Sequence, residues 1–288
     1  MTTTPTSRRI ATRGVDVARV VLPLDGSLEA ERALGAARWL SDGLDASLEI
    51  VHVTSRREDV ATSHHLGELA DAHGAQCTVL AADHVADALA SHVVAGLPAL
   101  VCIATHGRDR SSAIVGSTAA TLVDLLHDPI VLVGPQAQTA PPDASAPVVV
   151  AVGGRAEDHD LVHIASQWAT RLARRLVLAT VVEPAPATLR GEHLPSRAHG
   201  PADPDVYLTE LMAPLQRVGI EVTGEVISDP VSVDGGIVGW LQRTPTAMVV
   251  MGSSHRSGVG RLLHGATAAR VAHDSPCPVL VAELGWRR

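Results

Sequence analysis

One order of residues occurs twice in this chain, and a repeat constrains a fold before any single residue does. The first copy runs from Ala99 to Gly134. An apolar run, Leu100-Val101-Cys102-Ile103-Ala104, leads through Thr105-His106-Gly107 to Gly116-Ser117-Thr118, then to His127-Asp128 and a second apolar run, Val131-Leu132-Val133. The second copy runs from Met248 to Ala282. Here Met248-Val249-Val250-Met251-Gly252 is followed by Gly265-Ala266-Thr267, His273-Asp274 and Val279-Leu280-Val281-Ala282. Each copy reads as a strand, a glycine-rich loop, a short helix and another strand.

The residues upstream of each copy repeat as well. Arg19 to Leu24 reads as a strand, Glu29 to Asp42 as a helix ended by Gly43, and Leu48 to Val53 as a second strand. A modest helix ends near His73-Gly74, before strand Cys77 to Leu80 and helix Val85 to Ala95. After strand Ala99 to Ala104, a helix from Ser117 to His127 and a strand from Ile130 to Gly134 complete the first unit. The second unit opens with Val148 to Val152, with Gly153-Gly154-Arg155 in place of the Asp25-Gly26-Ser27 corner. It continues with helix Asp160 to Arg174, strand Leu176 to Val182, helix Val206 to Val218, strand Glu221 to Ile227 and helix Val233 to Thr244. Trp168 stands in its helix much as Trp39 does in the first.

Alternating strands and helices imply parallel sheets covered by helices on both faces. The expected fold class is α/β: two tandem, doubly wound, five-stranded parallel sheets of Rossmann-like type. The 288 residues suit two domains, each able to bury its own core. The divisions expected are a disordered tail at 1–17, a first domain at 18–135, a linker at 136–146 and a second domain at 147–288. Glu183 to Asp205, rich in Pro, Arg and His, is an insertion without a counterpart in the first unit.

Composition excludes several functions. The chain has no Lys, so its 23 basic residues are all Arg. A lysine-bearing P-loop, a Schiff-base enzyme and a kinase-type lysine are therefore ruled out. A net charge of −8, without a basic stripe, argues against nucleic-acid binding. Aromatic residues make up 2% of the chain and Phe is absent, so the core must be built from Val, Leu, Ile and Ala, as parallel strands buried on both faces require. No run reaches the roughly 18 apolar residues of a membrane span. Ser7-Arg8-Arg9 resembles a twin-arginine start, but the residues after it are polar. Cys77, Cys102 and Cys277 lie in apolar runs and are expected to be buried, reduced thiols, which suits a cytoplasmic location.

Ligands of such sheets lie beyond the carboxyl ends of the strands, where the winding reverses. Glycines there let the backbone approach an anion, and the following helix N-terminus adds free N–H groups and a partial positive charge. The same glycines also serve as tight strand-to-helix turns with no ligand. Ser27 is a candidate helix cap, with Glu29 and Glu31 in the first turn.

The run MGSSHRSGVGRLLHGATAARVAHDSPCPVLVA resembles the signature of the universal stress protein family. VVLPLDGSLEAERAL at the start of the first unit resembles it too, as does the tandem layout, and the likeness leaves only tail, linker and insertion outside. That resemblance implies the adenine nucleotide alpha hydrolase-like form of the fold. In the ATP-binding branch the loop reads Gly, two residues, Gly, nine residues, Gly, then Ser or Thr, and an Asp at the end of the first strand holds the nucleoside. Carried over, the resemblance implies Pro23 and Asp25 for the nucleoside, Val53 against the base, and Gly107, Gly116 and Ser117 for phosphates. Ala104 stands where the first Gly is expected, and eight residues separate Gly107 from Gly116. The second unit keeps Gly252 and Gly265, with Thr267 beside Ala266. Gly153 stands in place of the Asp there, and His255 in place of the middle Gly.

The expected function is thus that of a tandem universal stress protein, an adenine-nucleotide-binding regulator of the stress response, not an enzyme. ATP is the expected ligand, with magnesium accompanying it, and regulatory proteins are the expected partners. Pairing of the fifth strands across the two units is expected, and a homodimer is open. The alternative is an interaction module of the same fold that binds no nucleotide. His52, His64, His65 and His73 fall on different elements and read as solvated residues, not as a metal site. His106 and His255 lie in the two loops, and Arg108, Arg110, Arg256 and Arg261 stand near enough in sequence to offset phosphate charge. No Ser-His-Asp set, CxxC pair or paired carboxylates stand out.

Overall fold

The computed structural model describes residues 15–54, 60–106, 115–182, 201, 203–229, 231–254 and 267–284. The first half contains β1 (Arg19–Pro23), α1 (Leu28–Glu31), α2 (Ala33–Leu44), β2 (Ser47–Thr54), α3 (Val60–Ala72), β3 (Gln76–Ala81), α4 (Val85–Ala95), β4 (Ala99–Ala104), α5 (Ser117–Leu125) and β5 (Ile130–Val133). The second contains β6 (Val148–Val152), α6 (Asp158–Arg171), β7 (Leu176–Val182), α7 (Pro204–Arg217), β8 (Val222–Ser228), α8 (Val233–Leu241), β9 (Met248–Ser254), α9 (Thr267–Asp274) and β10 (Val279–Leu284).

The strands form one ten-stranded sheet in the order β3-β2-β1-β4-β5-β10-β9-β6-β7-β8. Each half contributes five parallel strands with the same internal order. The two meet where β5 pairs antiparallel with β10, Val131 facing Leu280 and Leu132 facing Val279. This join removes two edges whose N–H and C=O groups would otherwise lack partners. Two apolar clusters cover the two faces. One unites α2, α3, α6 and α7 around Leu22, Ile50, Val150 and Leu178. The other unites α4, α5, α8 and α9 around Val101, Leu132, Val249 and Val279.

Several sequence expectations are corrected by packing. Gly43 does not end the second helix; α2 runs on to Leu44 and stops at Asp45, whose left-handed backbone (φ 52°) lets the Ala46 N–H reach the Ser41 carbonyl. Gly43 serves close packing instead, since a β-carbon there would lie 2.9 Å from Leu172 Cδ2 of the other half. The expected first helix breaks at Arg32, and α7 begins two residues early because Asp203 caps it and Pro204 supplies a suitable φ. Cys77 is exposed, because β3 is an edge strand, whereas Cys102 and Cys277 are buried and burial holds both thiols protonated. Val15 and Val17, in the stretch expected to be disordered tail, pack against the core; residues 1–14 lie outside the described residues.

The stretch read as a linker is tied down along its length. Ala137 and Ala146 are buried, the Gln138 N–H donates to the Pro276 carbonyl at 2.9 Å, and Thr139's carbonyl sits where a β-carbon on Gly35 would be. Composition alone missed this because main-chain groups make the contacts. Gly134 plays the matching part at the join: a β-carbon there would overlap the Ala272 carbonyl oxygen and lie 2.6 Å from that of His273. Most of the insertion, 183–200 and 202, lies outside the described residues.

A buried polar network holds the amino ends of the first-half strands. Glu49 accepts from Thr78 Oγ1 (2.7 Å) and His92 Nε2 (2.9 Å), and pairs with Arg19, which also donates to the carbonyls of His92 and Gly96. Burial alone would raise the Glu49 carboxyl, but the hydrogen bonds of Thr78 and His92 and the Arg19 charge outweigh it and hold it low. A lowered native value means the stabilisation is present above the unfolded value, about 4.3, and fades as pH falls through the native one. Glu49→Gln should cost about 2 kcal/mol at pH 7 in urea unfolding, with the gap from wild type closing as pH falls through the lowered native value. Gly134→Ala should lower stability by about 1–3 kcal/mol through overpacking at the join, and an unchanged unfolding midpoint would refute that tight contact.

Candidate functional site

In the first half β1 lies between β2 and β4, so the winding reverses beside the carboxyl end of β1. Pro23 ends that strand, buried, and the Leu24 N–H donates to the Val51 carbonyl at 3.0 Å. Gly26 turns the chain with φ 78°. Asp25 is held within this turn: its Oδ1 accepts from the Ser27 N–H (2.9 Å) and from the Ser27 hydroxyl (2.6 Å). The same hydroxyl accepts the Ala30 N–H at 3.2 Å, the expected helix cap. Beneath the turn, buried His52 places Nδ1 2.9 Å from the Leu24 carbonyl, so Nδ1 carries the proton and pins the strand end. His52 is therefore a buried anchor, not the solvated residue its sequence implied. Val53 follows it on β2, half-buried.

The neighbouring strand β4 ends at Ala104, whose methyl group is buried in the cluster beneath α2. Thr105, 1% exposed, donates its N–H to Val133 and accepts the Gly116 N–H at 2.6 Å. Both ends of the intervening loop are thereby fixed. Gly116 caps α5 with an extended backbone and no side chain of its own, and a β-carbon there would stand 3.1 Å from the Thr105 carbonyl. Ser117, exposed, is the first residue of α5. Asp25, Val53, Ala104, Gly116 and Ser117 thus all lie along the carboxyl edge of the same parallel strands. Gly107, Arg108 and Arg110 lie outside the described residues.

Sequence reasoning did not identify the contact that this edge makes with the second half. The rings of His106 and His273 meet edge to face, centroids 5.3 Å apart, and the His273 Nδ1 lies 2.7 Å from Asp274 Oδ1. His127 Nδ1 reaches Glu283 Oε2 across the same join at 2.9 Å. The repeated His-Asp pairs were the available signal, but only the antiparallel join shows what they face.

The second half has the same topology and a different corner. Gly153 stands at the position of Asp25, and Gly154 turns the chain with φ 80°, as Gly26 does. Asp158, from the first turn of α6 and 3% exposed, supplies the carboxylate instead. Its Oδ2 accepts the N–H groups of Gly153 (2.9 Å) and Arg155 (2.8 Å) and the hydroxyl of Tyr207 from α7. Tyr207's oxygen accepts the Gly154 N–H at 3.2 Å. Thr180, facing Val152 where His52 stands beside Leu24, is fully buried, and its hydroxyl has no partner among the described residues. Gly252 lies on β9, where a β-carbon would overlap Leu284 Cδ1. Thr267 is the first residue of α9, half-buried. Gly265, His255, Arg256 and Arg261 lie outside the described residues.

Among the described residues no group of three or more His, Cys, Asp or Glu could hold a metal. His64 and His65 are exposed on α3 and face Glu68 and Glu31, and His73 is exposed beyond it. No helix among the described residues is long and apolar enough to cross a membrane.

The sequence profile of the universal stress protein family matches residues 146–283. No curated protein matches the chain. A universal stress protein from Archaeoglobus fulgidus DSM 4304 has a similar structure, at 16% identity and a TM-score of 0.63, over 93% of this chain and 99% of its own. A protein from Pseudomonas aeruginosa UCBPP-PA14 assigned to the same family gives 17% and 0.61, over 93% and 94%. A functionally unknown protein from Pseudomonas aeruginosa PAO1 gives 16% and 0.59, over 93% of each chain. At these identities the likeness extends to the fold.

Gly252 has a packing reason that needs no ligand. Gly252→Ala should destabilise the chain by about 1–2 kcal/mol, and a double-mutant cycle with Leu284→Val should show non-additive costs. Additive costs would mean the two residues do not press on one another.

Proposed function

We propose, for a chain whose second half belongs to the universal stress protein family and whose first half has the same fold, that the first half binds an adenine nucleotide. One observation carries this reading. A carboxylate fixed by Ser27 and the N-terminus of α5, which has no side-chain cap among the described residues, lie along one carboxyl strand edge, at the reversal of winding. Asp25 suits the hydroxyl donors of a ribose. Ser117 suits a phosphate oxygen through its backbone N–H and its hydroxyl, while Gly116, whose own N–H is given to Thr105, keeps the approach free of a side chain. Val53 offers an apolar flank for the base.

ATP is the nucleotide proposed. Magnesium accompanying ATP would take ligands mainly from phosphate and water, as this small cation commonly does. The role is that of a cytoplasmic stress-response regulator, read by partner proteins and not by turnover. The family resemblance supports this reading.

A second reading has its own support. Ala104 replaces a motif glycine and Gly252 serves packing, as in a fold kept for interaction surfaces without a nucleotide. Calorimetry separates the two. Protein refolded from denaturant, and so free of carried-over ligand, should bind ATP, and Asp25→Ala should weaken that binding more than about a hundredfold. If the refolded wild type shows no ATP affinity, the interaction-module reading stands instead.

A further inference from the structure

The two halves share a sheet order and differ at one corner, and that difference has a functional consequence. Three successive N–H groups after β6, those of Gly153, Gly154 and Arg155, point at groups on neighbouring elements. Successive backbone donors of this kind form a concavity suited to an anion. Here the chain supplies the anion itself. Asp158 takes the first and third donors, and Tyr207's oxygen takes the second while its hydroxyl donates back to Asp158. Every donor of the turn is thus used by a side chain from α6 or α7.

The first half is arranged otherwise. Its carboxylate, Asp25, is on the strand-end turn itself, and position for position Asp158 is matched by Ala30, a small apolar residue inside α1. Below the turn, His52 anchors the first corner through the Leu24 carbonyl, while Thr180 makes no such bond. The anchoring of the second corner has moved from the strand beneath to the helices above it. A ligand entering there would have to displace a buried carboxylate from three hydrogen bonds.

We infer that Asp158 and Tyr207 form an internal latch that closes the second half to nucleotide, leaving one nucleotide site per chain, in the first half. The stoichiometry rests on the reading proposed above; the closure does not. The second half then acts as the fixed partner of the first, joined to its loop through the His106–His273 contact.

Tyr207 is the chain's only tyrosine, so phenolate absorbance reports the latch directly. Burial raises the Tyr207 hydroxyl above its ordinary range, and its bond to Asp158 and the Asp158 charge raise it further. In the folded full chain, with circular dichroism confirming the fold, the phenolate midpoint should lie clearly above the free value of about 10. Asp158→Asn should bring it down, and saturating ATP should leave the wild-type curve unchanged. Native mass spectrometry with excess ATP should show one nucleotide per chain, lost in Asp25→Ala. A midpoint at the free-tyrosine value, a curve that moves with ATP, or two nucleotides per chain would overturn the latch. Should Asp158→Asn not fold, the wild-type curve alone decides. Should no ATP bind at all, the first-half reading fails, while the tyrosine curve still tests the closure.

Discussion

The antiparallel pairing of β5 with β10 is the contact on which the rest of this molecule depends. Each five-stranded half would otherwise end in a short, mostly apolar strand with main-chain groups unpaired along its free edge. Joining those edges makes one sheet and extends both apolar layers across the boundary, so the core of one half is continuous with the core of the other. The join also sets distances at the functional edge. Gly134 admits the last turn of α9, which carries His273 to His106 at the start of the first-half loop. A site built mostly from one half is therefore bordered by the other.

Two halves with the same strand order solve the same corner with different chemistry. Both turn on a glycine with positive φ, and both need a carboxylate to satisfy the turn's donors. In the first half that carboxylate belongs to the turn. In the second it comes from α6, and a tyrosine on α7 locks it. Fold stability asks only that the donors be satisfied, and either arrangement does so. Function is sensitive to which one is used, because a carboxylate buried under a tyrosine is not available to a ligand.

Much of the fold was legible in the sequence because parallel strands buried on both faces leave continuous Val, Leu and Ile runs, and the duplication repeats them in register. Ser27 as a helix cap could be read from residue type and position, whereas pairing of the fifth strands was implied by the family resemblance, and the register joins Ile130–Leu132 to Val279–Val281. Contacts made by the main chain could not. The stretch from Gln136 to Ala146 has the composition of a free linker, yet its carbonyls and amides tie it to both halves. Gly43, Gly134 and Gly252 look like turn residues, and what they provide is room for a neighbour. Cys77 sits in an apolar run, but only the strand order shows that run to be an edge. At the second corner the pairing of Asp158 with Tyr207 was not legible, because they lie 49 residues apart on separate helices, with an insertion between them.

The central claim is that one chain offers one nucleotide site, beside Asp25, and keeps its second corner for itself. Backbone resonance mapping of the full chain during an ATP titration tests it most directly. Shifts are expected at Asp25 to Ser27, Val53, Thr105, His106 and Ser117, with Gly153 to Arg155 and Tyr207 unmoved. Shifts centred on Gly153 to Arg155, or none at Asp25, would contradict it.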